Sequence, residues 1–124
     1  MSTVLIVEDN EKNMKLARDV LQAKGYQTLE AVTGEEGLRL AKERIPDLVL
    51  MDIQLPGING IDALRQLRAD SKTARIPVIA LTASVTPTDR SAISAAGFDA
   101  FVSKPINLKE FVETVKRFVE QAKK

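Results

Sequence analysis

The residues in this chain that could do chemistry are few in kind. The chain contains no Cys and no His. No thiol or imidazole is therefore available as nucleophile, general base or zinc ligand, which excludes Ser-His and Cys-His hydrolases and zinc modules. The reactive residues that remain fall at the ends of short apolar runs. Glu8 and Asp9 follow Val4 to Val7, Asp52 follows Leu48 to Met51, and Thr82 follows Val78 to Leu81. Lys104 follows Ala100 to Val102 after Ser103, while the run Gln27 to Val32 ends without such a group. Three carboxylates against one ammonium leave a charge of about −2, and like charges ~4 Å apart repel by on the order of 4 kcal/mol at an effective dielectric near 20. A divalent cation would cancel that charge; without one, a carboxylate tends to hold a proton. Hard oxygen ligands with no imidazole or thiolate select Mg²⁺, or Mn²⁺, over zinc. A carboxylate nucleophile, a cation, an ammonium and a hydroxyl together suit phosphoryl transfer.

Each of these residues has a plainer use when taken singly. Glu8 and Asp9 would serve as solvated or helix-capping acids, and Asp52 as a turn residue. Thr82 is a good strand former, and most lysines like Lys104 lie on the surface. The coincidence at four of five run ends is what separates the two readings.

Such convergence requires a scaffold. The apolar runs alternate with longer amphipathic stretches, whose faces are marked by Met14, Ala17, Val20 and Leu21, by Leu38, Ala41 and Ile45, and by Ile61, Leu64 and Leu67. A fourth face comprises Leu108, Phe111, Val112, Val115, Phe118, Val119 and Ala122, at helical spacing. Thr33 with Glu36, and Asn107 with Glu110, read as N-terminal caps; Thr86-Pro87 reads as a cap before a first-turn proline. Gly25 and Gly97 mark helix stops. Five β-α units follow one another, and the runs are continuously apolar, as in a parallel sheet covered on both faces. Right-handed crossovers leave a few doubly wound orders. In such sheets ligands bind beyond the carboxyl ends of the strands. With the second strand at an edge, the other four are contiguous and their terminal residues share one rim. Between Thr86 and Ala96 the only large aliphatic residue is Ile93, so that helix is expected to be loosely held.

The chain has 124 residues, 18 Lys+Arg against 17 Asp+Glu, and a net charge of +1. This fits one domain, 1–124. The charge balance argues against direct nucleic-acid binding, and the absence of an apolar run of about 20 residues argues against membrane insertion. Without Cys or a leader-like amino terminus, a cytoplasmic protein is expected.

The motifs Leu5-Ile6-Val7-Glu8-Asp9-Asn10, Leu50-Met51-Asp52-Ile53-Gln54-Leu55-Pro56-Gly57, Gly60, Leu81-Thr82-Ala83 and Gly97 through Phe101 to Lys104-Pro105-Ile106 resemble the receiver domains of two-component response regulators, over nearly the whole chain. At finer grain, Val7-Glu8-Asp9-Asn10-Glu11 with Asn13-Met14-Lys15-Leu16, and Met51-Asp52-Ile53-Gln54-Leu55-Pro56, resemble single-domain members that regulate cell division, wordings that receiver domains of hybrid kinases share. The resemblance implies a flavodoxin-like α/β fold: a doubly wound, five-stranded parallel sheet of order 2-1-3-4-5 with five helices, in three layers. It implies that Asp52 is the phosphoacceptor, that Asp9 and Asp52 ligate Mg²⁺ directly, that Glu8 does so through water and that Gln54 does so through its backbone carbonyl. Lys104 would pair with the phosphoryl oxygens, Thr82 would hydrogen-bond them, and Thr82 with Phe101 would form the switch. Lys104-Pro105 would be a cis peptide. The donor would be the phosphohistidine of a histidine kinase or histidine phosphotransferase, and the output a protein target reached through the face made by the fourth helix, fifth strand and fifth helix. The protein would act as a monomer or phosphorylation-dependent dimer and not as a turnover enzyme. Asn10, Asn13, Met14, Pro105 and Ile106 are expected beside the rim, with Met14 either in the core or exposed for docking.

The sequence departs from the common pattern in three places. Glu8-Asp9 replaces an Asp pair, Asn59 stands where Asp is frequent, and Phe101 lacks the hydroxyl of the commoner Tyr. Three rival readings are weaker. A Mg²⁺-dependent aspartyl phosphohydrolase of the haloacid-dehalogenase type needs an acid where Gln54 stands. A flavodoxin needs a phosphate loop where Glu8-Asp9-Asn10-Glu11 would repel one. A phosphorylation-independent adaptor of the same fold would have little use for the full set.

Overall fold

In a computed structural model of the chain, which describes residues 2–55, 57–83 and 87–122, the elements alternate strictly. They are β1 (Thr3–Val7), α1 (Glu11–Ala23), β2 (Gln27–Ala31), α2 (Gly34–Arg44), β3 (Leu48–Asp52), α3 (Gly60–Ala69), β4 (Val78–Thr82), α4 (Pro87–Ala96), β5 (Ala100–Ser103) and α5 (Leu108–Ala122). All strand pairings are parallel and the order is β2-β1-β3-β4-β5, so the expected α/β architecture is present. Thr86, expected as a cap, and Pro56 of the second motif lie outside the described residues, as does the side chain of Ala122.

The strand pleat divides the core in two. Leu5, Val7, Val49, Met51, Val78 and Ala80 face one way, onto Leu38, Ala41, Leu64, Leu67 and Ile93. Val4, Ile6, Leu48, Leu50, Ile79, Leu81 and Val102 face the other, onto Met14, Ala17, Leu21, Phe111, Val115 and Val119. This is the period-2 consequence of a sheet covered on both sides. The edge strand β2 is the exception to continuous apolarity. Its sequence, Gln27-Thr28-Leu29-Glu30-Ala31, leaves Gln27 and Glu30 exposed, because one of its edges has no neighbouring strand.

The helix ends follow their capping chemistry. The Thr33 side chain accepts from the Glu36 N–H at 3.1 Å, and Asn107 accepts from the Glu110 N–H at 3.1 Å. Gly25 and Gly97 stand just past α1 and α4 with φ of 91° and 107°.

Three side-chain expectations are corrected. Ile45 is not on the buried face of α2. It is the C-cap, left-handed at φ 43°, and 47% exposed, because Pro46 follows and the residue before a proline is kept out of the helical region. Val32 lies beyond β2 and is 53% exposed, on the way to the Thr33 cap. Leu108, at the open first turn of α5, is 46% exposed rather than part of the buried stripe. No described helix is long and apolar enough to cross a membrane.

Candidate functional site

Strand register decides which polar residues meet. β1 and β3 run in step, Ile6 beside Leu50 and Val7 beside Met51, so the next pair along is Glu8 and Asp52. Glu8, Asp52 and Lys104 each stand two residues beyond an apolar residue of the α1/α5 face, namely Ile6, Leu50 and Val102. Alternation therefore brings all three toward that face. Thr82 and Phe101 have the opposite parity. Thr82 follows Val78 and Ala80, and Phe101 packs on the same α2/α3/α4 face. The rim is thus split by the pleat into a charged trio on one side and the Thr82–Phe101 pair on the other.

The charged trio is tightly wired. Lys104 Nζ lies 2.8 Å from Asp52 Oδ2 and 2.9 Å from Glu8 Oε2. The other Asp52 oxygen, Oδ1, accepts from the Gln54 N–H at 3.0 Å, and Glu8 Oε1 accepts from the Asn10 N–H at 3.1 Å. Glu8 and Asp52 are buried, while Asp9, on the outer side of the turn, is exposed. Asp9 still reaches the site: one carboxylate oxygen from each of Glu8, Asp9 and Asp52 lies within 4.8 Å of the others. Lys104 approaches Glu8 Oε2 as an ion pair, yet among the described residues that oxygen accepts no hydrogen bond of acceptable angle. A buried carboxylate oxygen held by an ion pair alone, beside two more carboxylates, is the setting a hard cation or its bound water fits.

Burial pushes the Glu8 carboxyl above its ordinary value, and the neighbouring Asp52 adds to that, against the opposing pull of Lys104 and the Asn10 N–H. For Lys104 the largest influence is burial, which lowers it. The Asp52 and Glu8 carboxylates together outweigh that influence, and the ammonium is held above its ordinary value. A divalent cation placed among the acids would reverse the pressure on Glu8.

Thr82 ends β4, is buried, and gives its carbonyl to the Lys104 N–H at 2.7 Å. Asp52, Thr82, Ile53, Ile61 and Ile93 border a cavity of about 260 Å³ between α3 and α4. Phe101 is half-buried on β5. Lys104-Pro105 is cis, as the resemblance implied. Gln54 is exposed, one turn of loop beyond Asp52.

The loop that carries Gln54 is closed at its base. Gly60 N–H donates to the Ile53 carbonyl at 2.9 Å, and Ile53 N–H to the Leu81 carbonyl at 3.1 Å. Gly60 is obligatory here, since a Cβ would run into the Asp52 carbonyl and the Ile53 backbone. Asn59 caps α3 by accepting from the Asp62 N–H at 2.9 Å. That accounts for the amide where Asp is frequent: both side chains offer the same acceptor.

Of the docking candidates, Met14 is only 6% exposed and belongs to the core, since α1 turns it toward Leu21 and Phe111. Asn10 and Pro105 are exposed, while Asn13 and Ile106 are half-buried. Leu16 is the exposed large apolar residue of α1, and Val20, Ala23, Leu108 and Val112 line a groove between α1 and α5.

The family described as "Response regulator receiver domain" matches residues 4–116. The chain is 47% identical over 120 residues to the polar-differentiation response regulator DivK of Brucella ovis, covering 97% of this chain and 98% of that protein. The match to DivK of Brucella anthropi has the same identity and coverage. Among solved structures, the receiver domain of the sensor histidine kinase PA1611 from Pseudomonas aeruginosa PAO1, with a magnesium ion coordinated in its active site cleft, superposes with TM-score 0.89 at 32% identity. That match covers 96% of this chain and 98% of that one. The chemotaxis protein CheY4 of Vibrio cholerae superposes with TM-score 0.89 at 26% identity, over 95% and 98% of the two chains. With the family matched over residues 4–116 and a relative 47% identical across nearly the whole chain, the chain belongs to the response regulator receiver domain family of two-component signalling.

Proposed function

We propose that this protein accepts a phosphoryl group on Asp52, in the presence of Mg²⁺, from the phosphohistidine of a histidine kinase or histidine phosphotransferase. The observation that carries the proposal is the wiring of Asp52. One oxygen is fixed by the Gln54 N–H and the other by Lys104, with Glu8 and Asp9 close enough to share a cation. In the step, an Asp52 oxygen attacks phosphorus, the P–N bond to the donor imidazole breaks, and an acyl phosphate forms; the imidazole keeps the electron pair. Lys104 follows the charge from the carboxylate to the phosphoryl oxygens, and the Thr82 hydroxyl hydrogen-bonds one of them. When bound, Mg²⁺ would neutralise phosphoryl charge, held by Asp9, Asp52 and the Gln54 carbonyl, with Glu8 reaching it through water. The magnesium-containing cleft of the PA1611 receiver supports this choice of ion.

The added charge, about −1.5 to −2, draws Thr82 inward, Phe101 repacks behind it, and the α4–β5–α5 face changes shape for a downstream protein. Such a protein works in the cytoplasm as one receiver unit over 1–124 and does not turn over substrate. It needs neither nucleic acid nor membrane, and is monomeric or dimerises on phosphorylation. Donor docking falls to Leu16, Leu108 and Pro105, the exposed apolar groups on the α1/α5 side, instead of Met14. Incubation with acetyl phosphate and Mg²⁺ followed by intact-mass measurement tests the site. The wild type should gain one labile phosphoryl group and Asp52→Asn none; equal gain by both overturns the assignment.

A further inference from the structure

β2 contributes no reactive side chain to the rim, yet the corner between β2 and α2 touches the site on two sides. On one side, the Ala31 carbonyl accepts from the Glu8 N–H at 3.0 Å and so fixes the backbone from which the buried carboxylate hangs. On the other, the first turn of α2 presses on the loop between Asp52 and Gly60. Gly34 is buried, and a Cβ there would lie 2.6 Å from Ile58 Cγ1 and 3.0 Å from the Ile58 carbonyl oxygen. A Cβ at Gly57, where φ is 76°, would meet the Glu35 carboxylate at 2.5 Å. The Thr33 cap holds this turn in place through the Glu36 N–H. A glycine in the first turn of a helix is a poor helix former, and its use here is to let that turn approach the loop.

We infer that the β2–α2 corner, and Gly34 in particular, is a positioning element of the site: it sets the height of the Gly57-Ile58 segment, and through the Ile53–Gly60 closure the placement of Asp52 and the Gln54 carbonyl. The metal part of this inference rests on the function proposed above. Groups that orient ligands from outside the coordination shell commonly change metal affinity by about 10-fold or more when altered.

The test uses Gly34→Ala, Ile58→Ala, the double variant, and Val119→Ala as a control that weakens the opposite core without touching the loop. Mg²⁺ affinity is measured by calorimetry, and amide exchange at Gly60 is followed without metal. Gly34→Ala should weaken Mg²⁺ binding roughly 10-fold and speed Gly60 exchange. The double variant should lose less affinity relative to Ile58→Ala than Gly34→Ala loses relative to the wild type, because the side-chain contact at 2.6 Å is gone while the carbonyl contact at 3.0 Å remains. Val119→Ala should lower the melting temperature with Mg²⁺ affinity unchanged. Unaltered affinity and exchange in Gly34→Ala, or an equal affinity loss in Val119→Ala, would overturn the inference. If the wild type binds no Mg²⁺, the proposed function fails, and the metal-free exchange at Gly60 still decides whether Gly34 positions the loop.

Discussion

α4 and α5 follow one another in the chain and cover opposite faces of the sheet, but they are anchored very differently. α5 sinks Phe111, Val115 and Val119 into the core and leans Val112 and Phe118 against it. Among the described side chains of α4, only Ile93 is buried, with Ala96 packed alongside; Ser91, Ala92, Ser94 and Ala95 are exposed. At the usual worth of burying aliphatic and aromatic side chains, that is roughly 6 kcal/mol of anchoring against roughly 2. The charged trio lies on the α5 side of the pleat and Thr82 with Phe101 on the α4 side. The two halves of the rim therefore differ in the same sense: the acid-lysine trio is set against a deep core, the Thr82–Phe101 pair against a shallow one. Under the function proposed above, a site that must hold ligands still and also report their arrival benefits from that asymmetry.

The largest expected effect tests the link between the halves. With beryllofluoride and Mg²⁺, amide exchange should change severalfold or more in α4 and little in α5, and Asp52→Asn should abolish the change. An equal response in both helices breaks the comparison. Next, Phe111→Ala should cost about 3–5 kcal/mol in urea unfolding, and Ile93→Ala about 2 kcal/mol, at the low end for such truncations because its surroundings can relax toward solvent. A cost at Ile93 equal to that at Phe111 would mean α4 is better held than its exposed face indicates.

The smallest effect is electrostatic. Because the folded Glu8 carboxyl lies above its ordinary value of 4.5, the folded protein binds more protons than the unfolded chain just above that pH. Metal-free stability should therefore fall as pH rises from 4.5 through the folded value. Urea midpoints measured in EDTA should show this slope, and Glu8→Gln should flatten it; a slope of the opposite sign would mean that Lys104 outweighs burial at Glu8.

Much of this was legible in the sequence because the informative residues are of unusual type for their place. Asp52 and Thr82 close apolar strands, and Lys104 follows one, so each stands out against Val, Ile and Leu. Even the burial of Glu8 beside an exposed Asp9 is a period-2 statement, since Glu8 shares the parity of Ile6. The misreadings have equally local causes. Helical spacing marked Ile45 and Leu108 as apolar-face residues, as it correctly marked Met14, but spacing does not say how far a face is covered. Met14 sits mid-face on α1 and is buried. Ile45 and Leu108 sit at helix ends, where covering runs out. Gly34 left no chemical trace, because what it supplies is room, and room is visible only once Ile58 is placed against it.

Lys104 bears on one thing more. Held between Asp52 and Glu8 at 2.8 and 2.9 Å, it is a counterion built into the protein. An incoming divalent ion finds its acids partly satisfied, so for the Mg²⁺ reading the affinity is that of an exchange and not of a capture. Oxygen sites left wholly unsatisfied bind scarce transition metals more tightly than magnesium. On that reading the lysine lowers the affinity for every divalent cation alike, and the choice among them stays with the oxygen donors and with which ion is abundant.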